Sequence, residues 1–434
     1  MTDRSSADGS GRAPADRSRS PSESARGPSP AAPGGSPHEE RVPTPRWVPT
    51  DDVIGSTPDR QILVVGDTPT GLALTSLLRA AGYDPVLAGA AAVPTASRVA
   101  FLSPAAMEVL GSLDAGAALL DSGVVVDAVA VGSAREGEHV ASTVRQRPGD
   151  TGRAPAITVP TAALSRALDD GLPAGAAARG RTVRSVSAEN GGVAVRFDDS
   201  VREWFDLVVD AGVGSLRPER RGAGAGSSPT VSQYEAVVDT PADGTVRDVW
   251  VPDGVVQWLP ASPDGDTLVR ITTTEAGSAA GERAIRAVRD RPAVPDVPEL
   301  GAFEHETVRQ GRLPEAAVPQ GWWGSGRVAR CGRAACPTVP AAGVGPSLGL
   351  TDALGLVSSL ARDGTAVPAA VDAYAASRAR RFDGVRRAAA GSDCVRQVRE
   401  SAPEPMRSLG ALRAAALEPF TGTAPAALPK GVPG

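Results

Sequence analysis

The chain contains 434 residues, of which 41% are hydrophobic and 22% charged, so its length and composition predict a soluble globular protein of two or three domains. Its net charge is -5 without a long basic or acidic run, which argues against a dedicated nucleic-acid-binding surface. No stretch approaches the roughly 18 apolar residues of a transmembrane helix, so a membrane-spanning protein is not expected.

Both ends of the chain are predicted to lack a packed core. Residues 1–58 are dominated by Ser, Pro, Gly, Ala, Arg and Asp, and they offer too few aliphatic side chains to offset the entropy of ordering. They contain no apolar segment behind a basic end, so a secretory signal is not expected. Residues 421–434 are predicted to form a second loose tail. Three cysteines are too few and odd in number for a disulfide framework, which favours a cytoplasmic location.

The first folded unit is predicted to be a strand, a turn, a helix and a second strand. Residues 60–66 are a short apolar run ending in glycine, and the leucines of residues 72–78 recur at helical spacing. Gly82 is expected to end the helix, and residues 84–89 form the next apolar run. This order is typical of a unit that presents a helix N-terminus to a dinucleotide pyrophosphate.

The turn of this unit resembles G-x-G-x-x-G but departs from it at the middle position. Gly66 and Gly71 occupy the first and third glycine positions, whereas Thr68 stands at the second, followed by Pro69. A β-branched side chain at this position obstructs the close approach of a pyrophosphate to the backbone. The acidic residue that would bind a ribose hydroxyl is expected near Gly89, but no carboxylate stands there. Two interpretations stay open here: a dinucleotide site, or a Rossmann-like unit kept for its fold.

Segments with strand-like alternation follow, and an arginine-rich helix closes the folded region. The alternating segments are residues 124–133, 232–240, 246–274 and 303–313, with turns expected at 252–254 and 263–265. The helix is expected within residues 371–399, and its arginines are interpreted as a solvated helix face.

A late segment, residues 327–353, carries a dense set of small residues at fixed spacing. It resembles the FAD-contacting segment of aromatic flavoprotein monooxygenases of the para-hydroxybenzoate hydroxylase type, G-D-A-A-H-P-x-x-P-x-x-G-x-G-x-N-x-x-x-x-D-A. The positions that match are Gly332, Ala334, Ala335, Pro337, Pro340, Gly343, Gly345, Asp352 and Ala353. In that family the loop matching residues 340–345 lies against the flavin ring, where only small residues allow close approach.

Two further segments match the same family in the same order. Residues 161–168 resemble its R-x-x-L-x-x-x-L helix, and residues 206–215 resemble D-L-V-V-G-A-D-G-x-x-S. The resemblance implies an α/β fold: a Rossmann-like FAD-type domain, an interleaved antiparallel β-sheet substrate domain and C-terminal helices. The implied bounds are 59–120, 155–230 and 325–365 for the FAD-type domain, 121–154 and 231–324 for the sheet domain, and 366–420 for the helices.

Several side chains depart from the family pattern where it contacts FAD. Arg333 replaces the aspartate of the G-D motif, Thr161 replaces the arginine of the R-x-x-L helix, and the D-G pair is shortened to Asp210-Ala211-Gly212. Three interpretations of Arg333 stay open: its charge extends to solvent, it pairs with Asp67 or Asp210 in space vacated by FAD, or it contacts a phosphate.

Cys336 stands where the family motif has histidine, and it is interpreted as a buried thiol. Together with Cys331 it forms C-x4-C, but the partner ligands expected of a zinc site are lacking, so no metal is predicted. Four tryptophans are candidates to line the substrate cavity that the resemblance implies, although each also suits a packed core. They are Trp250, Trp258, Trp322 and Trp323.

The resemblance implies an FAD-dependent monooxygenase in which NADH or NADPH reduces the flavin and a flavin peroxide hydroxylates a small substrate. The predicted cofactor-binding residues are Gly66, Thr68, Pro69, Gly71, Gly332, Arg333, Pro340, Gly343, Val344 and Gly345. The departures raise two alternatives: a non-catalytic descendant that acts as a binding or interaction protein, or a nicotinamide-only Rossmann reductase. Neither the substrate nor the catalytic residues are readable from the sequence.

Overall fold

The structure is a computed structural model that describes most of the chain between residues 60 and 391. The described residues are 60–89, 97–133, 141–145, 154–173, 176–189, 191–212, 216, 230–239, 243–251, 254–273, 282–284, 286, 307–312, 322–335, 345–362 and 365–391. The two predicted tails lie outside the described residues, as do Cys336, Cys394 and the predicted cofactor residues Pro340, Gly343 and Val344.

The described residues form eighteen strands. They are β1 (Ile62–Val65), β2 (Val86–Gly89), β3 (Val99–Leu102), β4 (Val124–Val125), β5 (Ala128–Ser133), β6 (Ala141–Arg145), β7 (Ile157–Pro160), β8 (Ala177–Glu189), β9 (Gly192–Phe197), β10 (Arg202–Phe205), β11 (Leu207–Asp210), β12 (Thr230–Asp239), β13 (Thr245–Val251), β14 (Gly254–Pro260), β15 (Asp266–Thr273), β16 (Thr307–Arg312), β17 (Gly324–Ser325) and β18 (Val328–Arg330).

Five of the six helices in the described residues begin at or beside Pro, Ser or Thr. The six helices are α1 (Pro69–Ala80), α2 (Pro104–Gly111), α3 (Gly116–Ser122), α4 (Thr161–Asp170), α5 (Gly345–Leu360) and α6 (Val367–Gly391), and a 3-10 turn spans Gly332–Ala334. Thr68 caps α1 and Ser103 caps α2, each with its side-chain oxygen accepting a backbone N–H and with Pro in the first turn.

Within the described ranges, the largest sheet has the strand order β10-β9-β8-β2-β1-β11-β18-β17. Strands β8, β2, β1, β11 and β18 run parallel, whereas β9, β10 and β17 are antiparallel additions. The chain leaves β1 through α1 to β2 on one side, and β11 pairs with β1 on the other. The strand order therefore reverses at β1, and such a reversal opens a crevice beyond the carboxyl ends of β1 and β11.

A second sheet, in the described part of the chain, has the order β16-β12-β15-β14-β13-β5-β6. All of its pairings are antiparallel except that of β13 with β5. One face is an apolar layer that includes Tyr234, Val249, Trp258 and Ile271. The residues that alternate with them place buried polar side chains on the opposite face.

Strand β3 belongs to a small sheet, β3-β7-β4, that lies between these two layers in the described structure. Its residue Val99 accepts a hydrogen bond from Arg270 of the second sheet, and Phe101 accepts one from Ser347 of α5. The first sheet itself is covered on one face by α1 and α5, whose leucines join one continuous core with Val64 and Val209. Burial of this apolar surface is the main force that stabilises the arrangement.

Candidate active site

The turn between β1 and α1 is shaped by contacts that only glycine permits. Gly66 has a φ of +113°, and a Cβ there would lie 2.6 Å from the Cα of Gly212. A Cβ at Gly71 would overlap the carbonyl oxygen of Gly66. The first turn of α1 is thereby held directly against β1 and the end of β11, and its positive dipole end lies at the crevice.

Thr68 fills part of the space between α1 and β11. Its Oγ1 accepts the N–H of Gly71 at 3.3 Å and donates to the carbonyl of Ala211 at 2.7 Å. The adjacent Pro69 has no N–H, so two of the donors that a glycine-rich turn would offer to a phosphate are used or missing. The sequence predicts that Thr68 obstructs a pyrophosphate here, and in the structure its side chain lies between Gly71 and Ala211.

Three other residues near the predicted site differ from the dinucleotide contacts of the family pattern. Asp67 is exposed beside the turn, and Gly89 is half-buried at the end of β2, without a carboxylate. Thr161 begins α4 and donates its backbone N–H to the carbonyl of Arg98 at 2.8 Å. None of these three residues supplies the acid or the arginine that the family pattern has there.

The second half of the site is the 3-10 turn after β18. Gly332 has a φ of +57°, and its N–H donates to Oδ2 of Asp352 at 2.8 Å. A Cβ at Gly332 would lie 3.0 Å from Oγ1 of Thr70, in the first turn of α1. Two motifs that are about 260 residues apart in the sequence therefore meet, and the half-buried Arg333 lies in the turn that joins them.

Asp352 is a buried residue that the sequence pattern matched without assigning it a role. Its carboxylate is buried, accepts the Gly332 N–H and forms an ion pair with Arg378 of α6. Because one carboxylate holds the turn, α5 and α6 together, it positions the segment that carries Arg333. Its type and place in the motif are the only signals in the sequence that could have found it.

The ends of β11 and β18 carry a second buried polar arrangement. The Asp210 carboxylate accepts the N–H groups of Gly212 and Leu216 at 3.0 and 3.1 Å, which fixes the chain leaving β11. Arg330 is its neighbour in register. Burial lowers the pKa of Arg330, and the negative charge of Asp210 opposes that shift.

Cys331 lies on the opposite side of β18 and is fully buried. Its Sγ is 3.3 Å from the hydroxyl of Tyr374, which donates to the carbonyl of Arg330. Burial raises the pKa of Cys331 far above its ordinary value, and the Asp352 charge adds to the rise. A thiol held in its protonated form is a packing residue and not a nucleophile.

The start of α5 is fixed to β3. Ser347 Oγ accepts the N–H of Ser103 at 2.9 Å and donates to the carbonyl of Phe101 at 2.7 Å. Gly345, the first residue of α5, is the last of the predicted cofactor-binding residues and is half-buried. The structure thus places six predicted residues at two neighbouring turns, and Gly345 at the start of the adjoining α5. Gly66 and Thr68 lie between β1 and α1, Pro69 and Gly71 in the first turn of α1, and Gly332 and Arg333 in the turn after β18.

The four tryptophans proposed for a substrate cavity occupy different environments. Trp258 belongs to the apolar layer of the second sheet, whereas Trp250 lies on the opposite, polar face. Trp323 packs in the main core with its ring centroid 5.9 Å from that of Phe382, and Trp322 is partly buried beside it. Trp250 lies on the same face as Asp248 and Gln257, which are also buried.

The described residues show neither a metal-ion cluster nor a membrane-spanning helix. Among these residues, no group of three or more His, Cys, Asp and Glu side chains is placed to hold a metal ion. None of the described helices combines the length and apolar character needed to cross a membrane.

The sequence matches no protein-family model and no curated protein, whereas many solved structures share its fold. Klebsiella pneumoniae HpxO, solved with FAD and uric acid, is 19% identical over 84% of this chain and 93% of its own, with a TM-score of 0.56. 2-Methyl-3-hydroxypyridine-5-carboxylic acid oxygenase is 17% identical over 85% of this chain and 99% of its own, with a TM-score of 0.56. Tetracycline destructase Tet(51) is 14% identical over 85% of this chain and 100% of its own, with a TM-score of 0.52.

At these identities the likeness establishes architecture, and it extends over nearly the full length of each neighbour. The covered part of this chain includes 84–85% of its residues. The chain therefore has the para-hydroxybenzoate hydroxylase-like fold of the FAD-binding aromatic hydroxylases.

Proposed function

We propose that the protein is an FAD-dependent monooxygenase that hydroxylates a small molecule. The observation that carries the proposal is the meeting of the β1–α1 turn, the 332–334 turn and the start of α5 at the strand-order reversal of a flavoprotein hydroxylase fold. Ligands of open α/β sheets bind at such a reversal, beyond the carboxyl ends of the strands.

The backbone of this site fits a dinucleotide, and its side chains alter the usual contacts. The close glycine packing at Gly66 and Gly71 brings the positive end of α1 to the crevice, where a pyrophosphate is stabilised. Arg333 lies in the turn that packs against α1, and a guanidinium suits a phosphate, so of its three interpretations we favour contact with a phosphate. The start of α5 at Gly345 would lie along the remainder of the cofactor.

Bound FAD, reduced by NADH or NADPH, would supply the oxygen chemistry of the hydroxylation. The chain itself would orient the substrate and exclude water. The polar face of the second sheet is buried, and β3 connects it to α5, so a substrate between them would be shielded from solvent.

The non-catalytic descendant and the nicotinamide-only reductase gain no support from the fold comparison, because the neighbours span the whole architecture and include a structure with bound FAD. A cytoplasmic location and a role without nucleic acid stay predictions from composition.

Reconstitution with FAD tests the proposal directly. The purified chain is incubated with FAD, desalted and examined for flavin absorbance and for the midpoint of thermal unfolding, with FMN as the matched control. We expect retention of about one FAD per chain and a raised midpoint, since a ligand that binds only the native state stabilises it. NAD(P)H oxidation is then followed in the loaded protein. Absence of FAD retention would contradict the proposal, and retention without any NAD(P)H oxidation would favour the non-catalytic descendant.

A further inference from the structure

A buried ion pair of the second sheet is attached to the chain that leads into β3. Glu235 of β12 and Arg270 of β15 are paired in register, and Arg270 Nε donates to Glu235 Oε1 at 2.8 Å. Both side chains are at most 1% exposed. Burying two charges costs free energy that their attraction often only balances, so the pair by itself is weak evidence of stabilisation. What the pair does depends on the groups that it holds.

The ion pair holds three consecutive residues at the beginning of β3. Ser97 Oγ donates to Glu235 Oε1 at 2.6 Å and accepts from Arg270 Nη2. The Arg98 N–H donates to Glu235 Oε2 at 3.2 Å, and the Val99 carbonyl accepts from Arg270 Nη2 at 3.2 Å. Hydrogen bonds with an ionised partner are shorter and stronger than neutral ones. We call these five residues the clasp.

The same stretch of chain is also held from a second side. The Arg98 carbonyl accepts the N–H of Thr161, at the start of α4, at 2.8 Å. Val99 is paired with Pro160 at the end of β7. Backbone that is hydrogen-bonded on both sides opens less readily than exposed backbone. The beginning of β3 is therefore fixed between the second sheet and the β7–α4 connection.

The other end of β3 is fixed to α5. Ser347, in the first turn of α5, donates its hydroxyl to the Phe101 carbonyl at 2.7 Å and accepts the Ser103 N–H at 2.9 Å. Ser347 is buried. Val99 and Phe101 are two residues apart, which in a strand is roughly 7 Å. One short strand thus connects the clasp to the start of α5.

Resting on the proposed function, we propose that Glu235 and Arg270 are positioning residues for the cofactor site. The clasp fixes the beginning of β3, β3 fixes Ser347, and Ser347 fixes the start of α5. This helix packs on the second half of the site, where a Cβ on Gly332 would lie 3.0 Å from the Cα of Gly349. Residues that bind a ligand must be held to within about 0.5 Å of their working positions. The two charged residues act on FAD only through β3.

An ion pair that only stabilised the second sheet would behave differently. Its removal would make every segment of the chain open more readily and to a similar extent. Removal of a positioning pair acts mainly on β3 and on the start of α5. Amide hydrogen exchange separates these two outcomes, because it reports the opening of each segment by itself.

The test variant is the double substitution Glu235→Leu with Arg270→Met, which removes both charges and leaves neither of them unpaired. Exchange is measured by mass spectrometry in the chain without FAD, with β1 as the reference for global opening. We expect residues 99–103 and 345–350 to exchange about tenfold faster relative to β1 than they do in the parent, which corresponds to roughly 1.4 kcal/mol. An unchanged ratio would overturn the proposal.

Ile271→Val is the matched control for this variant. Ile271 is the next residue of β15, and its buried side chain belongs to the apolar layer on the opposite face of the sheet. The substitution removes one buried methyl group and leaves the clasp intact. It should leave the exchange ratio as it is in the parent. A rise in the ratio equal to that of the double variant would show that any loss of stability in the second sheet loosens α5, and would overturn the proposal.

FAD affinity is measured on the same proteins by fluorescence titration. The double variant should bind FAD about threefold to tenfold more weakly than the parent, which corresponds to one net hydrogen bond. Ile271→Val should bind FAD as the parent does. Ser97→Ala removes only the hydroxyl that Glu235 and Arg270 share, so it should change exchange and affinity in the same direction by less. If the double variant does not fold, Ser97→Ala carries the test, and its equality with the parent in both measurements would overturn the proposal.

The two proposals fail in distinguishable ways. Faster exchange confined to β3 and the start of α5, in a chain that does not bind FAD, would support the hold of the clasp on α5 and defeat the proposed function. FAD binding that the double substitution leaves unchanged would defeat the positioning role and support the proposed function.

Discussion

Thr68 and Ala211 are joined by a hydrogen bond of 2.7 Å from the threonine hydroxyl to the alanine carbonyl. The bond connects the start of α1 to the end of β11, across the crevice where the strand order reverses. The same hydroxyl accepts the Gly71 N–H, so one side chain both caps the helix and narrows the crevice. Stability and ligand access are therefore in competition at this residue.

Replacing Thr68 by glycine should separate these two effects. We expect Thr68→Gly to tighten FAD binding, because the side chain leaves the crevice and the Gly71 N–H is released. The free energy of unfolding should fall by about 1 kcal/mol, from the lost hydrogen bond and the weaker cap. Fluorescence titration with FAD and urea unfolding measure the two quantities. Thr68→Ser keeps the hydroxyl and is the control; equal FAD affinity in both variants would show that Thr68 does not limit access.

Arg333 is expected to act on the phosphates of FAD and not on its ring. Arg333→Gln should weaken FAD binding by about tenfold or more, since a charge-assisted hydrogen bond contributes roughly 1.5–3 kcal/mol. Riboflavin, which has no phosphate, should bind the variant and the parent equally well. Arg362→Gln, at an exposed position after α5, serves as the control. An equal loss for both ligands would exclude the phosphate contact.

Asp352 should contribute strongly to the stability of the fold. Asp352→Asn leaves Arg378 buried without its carboxylate partner, and breaking such a pair costs roughly 3–5 kcal/mol. Urea unfolding of the variant should show a correspondingly lower free energy of unfolding. Asp121→Asn makes the same change at an exposed site of α3 and should shift it by less than about 0.5 kcal/mol. A small effect at Asp352 would mean that its ion pair is dispensable.

The buried thiol of Cys331 predicts a loss of stability at alkaline pH. Its pKa is raised in the folded state, so above about pH 8.5 the unfolded chain releases a proton that the native chain retains. Stability from this group is complete below that pH and falls by about 1.4 kcal/mol per pH unit above it. Tyr374, whose pKa is also raised from 10.0, adds to the loss only at higher pH.

Comparison of the parent with Cys331→Ala between pH 8.5 and 9.5 isolates the thiol. Urea unfolding across this interval should give a steeper decline for the parent, by about 1 kcal/mol in total, because the unfolded thiol is only half ionised at pH 8.5. Parallel declines in the two proteins would mean that Cys331 titrates normally in the folded state.

Local patterns in the sequence were sufficient to predict the first unit of the fold. The strand expected at 60–66 is β1 (Ile62–Val65), and the leucine spacing after Gly71 matches α1. These elements follow from period and composition within a few residues. The alternating segments likewise became β12 to β16, because alternation is a property of each strand by itself.

The burial of polar side chains in the second sheet could not be predicted in the same way. Glu235, Gln257 and Arg270 alternate with apolar neighbours as solvent-facing residues of a strand do, so their pattern indicates exposure. Their burial follows from the register of four strands and from the position of β3, which no local pattern encodes. The long antiparallel arm of β8 to β10 was missed for a related reason, since β8 mixes Arg and Ser without clear alternation.

The glycines at the β1–α1 connection are usually interpreted as evidence of a bound dinucleotide. In this structure their cause lies within the chain itself. Gly66 is needed because Gly212 lies against it, and Gly71 because the Gly66 carbonyl does. Both requirements come from the chain packing on itself and persist whether or not a cofactor is present. A chain of this fold can therefore lose every ligand and still be unable to lose these glycines. These glycines in a sequence therefore indicate the fold, whereas the side chains beside them indicate which ligand the fold binds.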